Sequence, residues 1–269
     1  MYNSNNNNNK VILVLCDGMR ADAVQKCAHP FFVKMKETGA WSLEATTVMP
    51  SITLPCHVSL FCSVDPSRHG ILGNTYTEQV RPVKGLCEQL NNMGKSSAFF
   101  YNWEELRDLT RPGSLVHSHY ESGIVLGFEK ACELCTDAAI KYIPENQPDF
   151  VFLYLGYPDE AGHKYGWMTD EYMNSVEKCW ELIEKVCAVL PKEYNVIVTA
   201  DHGGHDRIHG VDIPEDMIIP VLASGPCFSG RGRLENVNIK DVAPTVTAIL
   251  GVTPDKEWEG RKLFEYSRG

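Results

Sequence analysis

The sequence predicts an α/β protein, a three-layer α/β/α sandwich whose central sheet is mostly parallel. The first observation is a set of short, continuous apolar runs rich in β-branched residues, at residues 11–16, 150–155 and 196–199. Such runs are typical of strands that are buried on both faces. The second observation is that longer segments of helical periodicity separate the runs. Strands joined by helices make right-handed crossovers, which produce a parallel sheet between helical layers.

Weaker patterns complete the predicted set of elements. Three further strands are expected, at 42–48, 97–101 and 218–223. Helices are expected at 82–93, 126–142, 170–190 and 240–250. The asparagine-rich segment 1–9 is interpreted as a disordered tail. Residues 10–269 are interpreted as one domain, because a chain of 269 residues is long enough to bury a single large core.

Composition limits the classes of partner. The net charge of −10 disfavours binding to a nucleic-acid polymer, whose backbone is also negative. No apolar run has the length of a membrane span, and residues 1–9 do not resemble a signal peptide, so no membrane partner is expected. Ten scattered cysteines indicate buried thiols and a cytoplasmic location. The lone Cys132-x-x-Cys135 pair is interpreted as helix packing, with metal or redox work as the less favoured alternative. Nothing in the sequence indicates the oligomeric state.

Polar residues follow several predicted strands directly. Asp17 follows the first strand, Asp159 follows the strand at 150–155, and Asp201 with His202 follows the strand at 196–199. Thr53 comes shortly after the weaker strand at 42–48. The carboxyl ends of parallel strands meet at one edge of a sheet, where sites form in such folds. The sequence therefore predicts a site built from these residues.

The residue types at these positions are metal ligands. Asp159 and His163 are four apart, which places both on one side of a helical turn. His209 lies a few positions beyond Asp201 and His202, and His205 in the same loop is an alternative ligand. Carboxylate oxygens with imidazole nitrogens suit Zn²⁺ and, less exclusively, Mn²⁺ or Fe. Each fragment alone is ordinary, since Asp-Gly is a common turn, but together they are enough for two divalent metal ions.

Thr53 and Asn74 are the candidate catalytic residues. A threonine at the start of a helix is by default an N-cap. The same position places a hydroxyl where free N–H groups favour a phosphate oxygen, and a metal-bound hydroxyl is a competent nucleophile. The Asn74 amide is of the right type to donate to a phosphate oxygen, although after Gly73 it also fits a turn. Tyr76, Tyr157 and Tyr165 are aromatic groups able to stack on a planar part of a substrate, or simply to pack.

Five segments of the chain resemble a known superfamily. They are LCDGMR at 15–20, MPSITLPCHVSL at 49–60, RHGILGNTY at 68–76, YPDEAGHKYG at 157–166 and TADHGGHDRIHG at 199–210. In this order they resemble the motifs of the alkaline phosphatase superfamily, and specifically its nucleotide pyrophosphatase/phosphodiesterase (type I phosphodiesterase) branch. The resemblance implies an alkaline-phosphatase-like fold.

The resemblance also implies roles for individual residues. One metal ion would be held by Asp17, Thr53, Asp201 and His202, and the other by Asp159, His163 and His209. Thr53 would be the nucleophile and Asn74 a contact to the phosphate. His57 fits a family position as well, but we interpret it as a packed helix residue.

The implied function is a two-metal phosphohydrolase that cleaves phosphodiester or pyrophosphate bonds of a small ester through a phospho-threonine intermediate. Threonine at position 53 disfavours a sulfatase, whose nucleophile must be converted to formylglycine. Phosphomonoesters and, as in phosphonoacetate hydrolase, C–P bonds are the alternative substrates. A non-catalytic metal-binding protein is the alternative from another class, and it is disfavoured because all seven ligand positions hold suitable residues.

Overall fold

A single eight-stranded sheet forms the centre of the computed structural model, which describes residues 8–111 and 113–264. The predicted disordered tail therefore lies, apart from its last two residues, outside the described residues. The strands are β1 Lys10–Cys16, β2 Ala40–Thr46, β3 Ser97–Tyr101, β4 His117–Tyr120, β5 Phe150–Leu155, β6 Tyr194–Thr199, β7 Ile218–Ser224 and β8 Gly232–Arg233. Their order across the sheet is β4-β3-β5-β1-β6-β7-β2-β8.

The sheet is mostly parallel, as predicted. Within the described residues only β7 runs against the others, because it pairs antiparallel with both β6 and β2. The pairs of β1 with β5 and β6, of β3 with β4 and β5, and of β2 with β8 are all parallel. The apolar runs that predicted β1 and β5 are buried on both faces, which is why they lack the alternation of a half-exposed strand.

Helices cover both faces of the sheet, so the three-layer architecture is confirmed. One layer contains α1, α2, α7 and α9, which contact one another through α9, and the opposite layer contains α3, α5 and α11. The helices are α1 Ala21–Cys27, α2 Pro30–Thr38, α3 Thr53–Cys62, α4 Pro66–His69, α5 Leu86–Asn92, α6 Gly123–Leu126, α7 Phe128–Asn146, α8 Tyr157–Tyr165, α9 Asp170–Cys187, α10 Pro214–Met217 and α11 Val242–Leu250, with 3-10 turns at Glu104–Leu109 and Ile239–Asp241.

Several predicted boundaries were wrong for local reasons. The helix expected at 82–93 begins only at Leu86, since Gly85 before it is extended. The helix expected at 126–142 begins at Phe128 and extends to Asn146, because Gly127 before it adopts a φ of 82°, a conformation that a helix cannot contain. The edge strands β4 and β8 were not predicted. They are short, and their sequences lack the apolar runs of the central strands.

The three strands that end in candidate ligands lie side by side. β5, β1 and β6 are neighbours at the centre of the sheet and run in the same direction. Their carboxyl ends therefore meet at one edge, where the loops after them carry Asp159, Asp17 and Asp201. In the part of the chain that the structure describes, no helix combines the length and the apolar character needed to cross a bilayer.

Candidate active site

The turn after β1 brings three of the predicted loops together. Gly18 adopts a φ of 64°, and its N–H donates to Oδ1 of Asp201 at 3.2 Å. A Cβ atom at Gly18 would lie only 3.0 Å from the Cα atom of Asp159. Only glycine allows both this backbone conformation and this close approach, so the Asp17-Gly18 dipeptide is required for the loops to meet.

A first ligand group consists of Asp17, Asp201 and His202. One ligand atom from each lies within 4.8 Å of the others, and all three side chains are buried. His202 Nε2 is 3.3 Å from Asp17 Oδ1 and 3.3 Å from Asp201 Oδ2. The hydroxyl of Thr53 is 3.2 Å from the same nitrogen. These four side chains are the ones that the resemblance assigns to one metal ion.

Asp159, His163 and His209, which the resemblance assigns to the other metal ion, form the second ligand group, although the ligand atoms that lie within 4.8 Å of one another here are those of Asp159, His202 and His209. Asp159 Oδ2 lies 3.5 Å from His163 Nε2, and Asp159 Oδ1 lies 3.7 Å from His209 Nε2. The imidazole of His209 stacks on that of His202, with ring centroids 3.8 Å apart and 12° between the ring planes. The two ligand groups are therefore adjacent.

Backbone carbonyls determine which nitrogen of each histidine is available. The Nδ1 atom of His202 donates to the carbonyl of Gly203 at 2.8 Å. Likewise His163 Nδ1 donates to Arg207 at 2.9 Å, and His209 Nδ1 donates to Ser51 at 2.8 Å. A carbonyl accepts only, so Nδ1 carries the proton and Nε2 keeps its lone pair in the neutral ring. All three Nε2 atoms thus face the carboxylates as potential ligands.

One oxygen of each of the three carboxylates lacks a hydrogen-bond partner. Asp17 Oδ1, Asp159 Oδ1 and Asp201 Oδ2 are buried and have no hydrogen-bond partner. Burial raises the pKa of Asp201 to about 8, and the nearby carboxylate of Asp159 adds to the rise. Burial and the charge of Asp201 also raise the pKa of Asp17. Unpaired carboxylates beside unprotonated imidazoles are the donor set of divalent cations, so these residues fit two metal ions.

His205, the alternative ligand, has a different partner. Its Nδ1 lies 2.7 Å from Oδ1 of the buried Asp216. The other oxygen of Asp216 accepts from the N–H groups of Gly210 at 2.9 Å and Val211 at 3.0 Å. The structure therefore brings His209, and not His205, to Asp159.

Thr53 is the first residue of α3, and it is not the N-cap. The cap residue is Ile52, which makes no side-chain capping bond. In the neutral tautomer of His202 that carries its proton on Nδ1, the Thr53 hydroxyl is the donor in its 3.2 Å contact with Nε2. Asn74 accepts from the N–H of Leu54 with its Oδ1 at 3.0 Å. This bond directs the amide NH₂ of Asn74 away from Leu54 and leaves it as the donor for a ligand.

His57 is packed in α3, as interpreted from the sequence, and it also touches the site. Its Nδ1 donates to the carbonyl of Thr53 at 2.8 Å and lies 3.4 Å from Asp201 Oδ2. Burial lowers the pKa of His57 to about 3, so the ring is neutral at physiological pH. His57 thus connects the start of α3 to the loop after β6 without adding charge.

Sequence reasoning missed three residues that hold the site. Tyr154 in β5 donates its hydroxyl to Asp17 Oδ2, and Trp167 donates its Nε1–H to the carbonyl of Gly18 at 2.9 Å. Asp216 is the third, through the bonds described above. The sequence did contain a signal for Tyr154, because a tyrosine within a wholly buried strand needs a hydrogen-bond partner for its hydroxyl. The partner itself, 137 positions away, has no local signature.

The three tyrosines proposed for stacking have neighbours of their own outside the ligand groups. Tyr76 lines a cavity beside α3 together with Val58 and Arg111. Tyr157 packs against the core, and burial together with Glu129 raises its pKa to about 12. The ring of Tyr165 lies under the ammonium of Lys164, whose Nζ atom is 4.9 Å from the ring centroid. Substrate binding by Tyr76 and Tyr157 stays a prediction.

The Cys132-x-x-Cys135 pair is a packing feature, as interpreted. Both thiols are buried in α7. Cys132 Sγ accepts from the Asn102 amide at 3.2 Å, and Cys135 Sγ donates to the carbonyl of Tyr101 at 3.2 Å.

The fold and this edge of the sheet define a class, the alkaline-phosphatase-like proteins. The type I phosphodiesterase / nucleotide pyrophosphatase family model matches residues 11–105 and 96–243, which together make up most of the chain. The chain belongs to this family, as the resemblance implied. The family is a class of two-metal enzymes.

Individual relatives are distant. Ectonucleotide pyrophosphatase/phosphodiesterase family member 7 of Rattus norvegicus is 24% identical over 220 residues, covering 72% of this chain and 49% of the relative. The human bis(5'-adenosyl)-triphosphatase ENPP4 is 26% identical over 237 residues, covering 76% of this chain and 50% of the relative. The chain thus spans about half the length of these relatives.

Solved structures share the fold. Murine ectonucleotide pyrophosphatase/phosphodiesterase 5, in an inactive threonine-to-alanine variant in complex with AMP, superposes with a TM-score of 0.76 at 18% identity, covering 92% of this chain and 96% of that chain. A phosphonate monoester hydrolase from Silicibacter pomeroyi gives a TM-score of 0.73 at 14% identity, covering 95% and 76%. At these identities the likeness concerns the fold alone.

Proposed function

We propose that the chain is a two-metal phosphohydrolase that cleaves phosphodiester or pyrophosphate bonds, with Thr53 as the nucleophile. One observation carries the proposal. The Thr53 hydroxyl, at the start of α3, lies 3.2 Å from His202 Nε2, at the place where the two ligand groups adjoin. Membership of the type I phosphodiesterase / nucleotide pyrophosphatase family supports phosphodiester hydrolysis.

Seven side chains would hold the ions in two sets, which are Asp17, Thr53, Asp201 and His202 for one and Asp159, His163 and His209 for the other. Their oxygen and imidazole donors favour Zn²⁺, with Mn²⁺ or Fe as alternatives. Bound divalent ions supply positive charge to the phosphoryl oxygens and lower the pKa of a coordinated hydroxyl or water.

The protein's own groups then bind and orient the ester. The deprotonated Thr53 oxygen attacks phosphorus, which forms a phospho-threonine and breaks the bond to the leaving alcohol or phosphate. The positive end of the α3 dipole and the Asn74 amide stabilise negative charge on the non-bridging oxygens. Water hydrolyses the phospho-threonine and restores the hydroxyl. A murine relative of the same fold is inactive as a threonine-to-alanine variant, which supports a threonine in this role.

Small nucleotide esters are the proposed substrates. The murine relative was solved in complex with AMP, and the human relative is named a bis(5'-adenosyl)-triphosphatase. Phosphomonoesters and phosphonates are the alternatives that the same residues would serve. The cytoplasmic location also stays our proposal, supported by buried free thiols such as those of Cys16, Cys132 and Cys179. Recovery of the tagged protein from a secreted or membrane fraction would contradict that location.

Hydrolysis of bis-p-nitrophenyl phosphate, beside p-nitrophenyl phosphate, tests the activity. We expect release from the diester to require Zn²⁺ or Mn²⁺, to stop with a chelator and to exceed release from the monoester. Faster cleavage of the monoester would indicate that the substrates are phosphomonoesters. Metal binding without release from either compound would favour the non-catalytic alternative.

Replacement of the nucleophile tests the mechanism. Thr53→Ala should abolish turnover and leave most of the metal content, because six other ligands remain. Thr136→Ala is the matched control, since Thr136 is equally buried but lies in α7 and bonds only to the carbonyl of Cys132. Full activity in Thr53→Ala would contradict the assignment of the nucleophile.

A further inference from the structure

Trp167 lies between α8 and α9 and is 6% exposed. It contacts the turn after β1, helix α8 and the loop after β6, which together carry six of the seven proposed ligands, although it is not itself a ligand. Its Nε1–H donates to the carbonyl of Gly18 at 2.9 Å, and the hydroxyl of Tyr172 donates to the same carbonyl at 2.8 Å. Because the N–H of Gly18 holds Asp201, the indole stabilises the turn that links Asp17 to the loop after β6.

The flat face of the indole occupies the space that two glycines leave. A Cβ atom at Gly162 would lie 2.5 Å from the ring of Trp167, and one at Gly204 would lie 2.3 Å from it. Gly162 is in α8, beside His163, and Gly204 is in the loop after β6. The indole therefore separates α8 from this loop by the thickness of one ring, and larger residues at either position would push them apart.

The edge of the indole meets the two histidines of the second ligand group. Its ring centroid is 5.1 Å from that of His163, with 82° between the planes, and 6.0 Å from that of His209, with 66°. The backbone N–H of Trp167 also donates to the carbonyl of Asp206 at 2.8 Å. The next residue, Arg207, supplies the carbonyl that orients His163. Trp167 thus contacts both imidazoles and fixes the segment that sets the tautomer of one of them.

We propose that Trp167 is a positioning residue for the second ligand group. Its indole sets the distance between His163 on α8 and His209 on the loop after β6. The inference rests on the proposed function, because it assumes that this group binds a divalent ion. The side chain of His163 is 44% exposed, so it has little other packing to hold it near Asp159. Without the indole, the two imidazoles would have to be ordered when the ion binds, and that ordering would reduce affinity.

Zinc titration of Trp167→Phe against a competing chelator tests this inference. Phenylalanine keeps an aromatic ring but removes the Nε1–H and part of the surface against the two glycines. We expect the Zn²⁺ site that His209→Ala abolishes to lose about 10- to 100-fold in affinity, as for other residues that orient metal ligands, and the other site to change much less. Trp180→Phe is the matched control. Trp180 is fully buried in α9, and its ring packs on that of Phe32 with centroids 5.6 Å apart.

Quenching of tryptophan fluorescence by Co²⁺ gives a second measurement. Co²⁺ bound beside His163 and His209 should quench the emission of wild type and Trp180→Phe, and the same occupancy in Trp167→Phe should quench it much less. If Trp167→Phe binds two ions with wild-type affinity, this inference is overturned and the proposed function is not. Failure of the wild-type protein to bind a second ion would overturn the proposed function as well, so the two failures are distinct.

Discussion

The Nδ1 atom of His205 lies 2.7 Å from Oδ1 of Asp216, and this pair decides which histidine of the Gly-rich loop faces the metal ligands. Asp216 is fully buried and uses its other oxygen to hold the backbone of Gly210 and Val211. The loop is thereby pinned on both sides of His209. His209 approaches Asp159, while His205 is held by Asp216.

The first prediction concerns these two histidines. His209→Ala should lose one of two bound Zn²⁺ ions, because it removes the Nε2 atom that lies 3.7 Å from Asp159. His205→Ala should bind both ions and lose only part of its thermal stability, since it removes one hydrogen bond at a side chain that is 24% exposed. Metal content after dialysis, measured by elemental analysis, separates the two variants. The reverse pattern would make His205 the ligand.

Tyr154 supports the second prediction. Tyr154→Phe removes only the hydroxyl that donates to Asp17 Oδ2 and keeps the ring that packs on His57. Without this donor Asp17 is less firmly oriented, so we expect affinity at the first ligand group to fall about 10- to 100-fold. Isothermal titration with Zn²⁺ measures the change.

Tyr194→Phe is the control for that experiment. Tyr194 is also a buried strand tyrosine, but its hydroxyl donates to the carbonyl of Pro148 at 2.6 Å. It should lose a similar amount of stability and keep its zinc affinity. Equal affinities in Tyr154→Phe and Tyr194→Phe would show that the Tyr154 hydroxyl does not act through Asp17.

The third prediction follows from the unpaired carboxylates. In metal-free protein Asp17, Asp159 and Asp201 are buried close together, which is unfavourable unless protons or cations neutralise them. Zn²⁺ at 100 times its Kd should add about 2.7 kcal/mol per independent site to the free energy of unfolding. A chelator should reverse this gain in a thermal melt.

The Asp201→Asn variant tests the electrostatic reason for this prediction. The amide oxygen still accepts from the N–H groups of Gly18 and His202, but the charge is gone. We expect this variant to be more stable than wild type when both are metal-free at neutral pH, and to gain less from Zn²⁺. A metal-free Asp201→Asn that melts below metal-free wild type would contradict the electrostatic explanation.

The fourth prediction is a pH dependence that comes from His69, at the end of α4. Its Nδ1 accepts from the N–H of Ile71 at 3.0 Å, and its Nε2 contacts Ser59 Oγ at 3.0 Å. Burial lowers the pKa of His69 to about 4, from 6.5 in the unfolded chain. The neutral ring therefore stabilises the fold fully above pH 6.5, and this contribution is lost as the pH falls from 6.5 to 4.

Denaturant titrations at several pH values measure this contribution. The difference in pKa corresponds to as much as about 3 kcal/mol across that range. His69→Asn should be less stable than wild type at pH 7, and the difference should shrink toward pH 4, because the variant has no ring to protonate. A difference that stays constant from pH 7 to pH 4 would exclude His69 as the source.

Local patterns predicted much of the fold. The apolar runs of β1, β5 and β6 are recognisable in the sequence because these strands are buried on both faces, and such strands carry apolar side chains at nearly every position. The edge strands β4 and β8 and the reversed direction of β7 were not predictable in the same way. Their pairing depends on neighbours that are distant in sequence, such as the pairing of β2 with both β7 and β8.

The candidate ligands other than His209 were visible in the sequence, because each comes directly after a strand or within one turn of a helix, where spacing alone relates the side chains. The contacts that hold them were not visible. Tyr154 reaches Asp17 across 137 positions, Trp167 reaches Gly18 across 149, and the choice of His209 over His205 depends on Asp216. Such contacts form only when the sheet has assembled and its loops share one edge, so the order of residues along the chain identifies the donors but only the folded protein decides their arrangement.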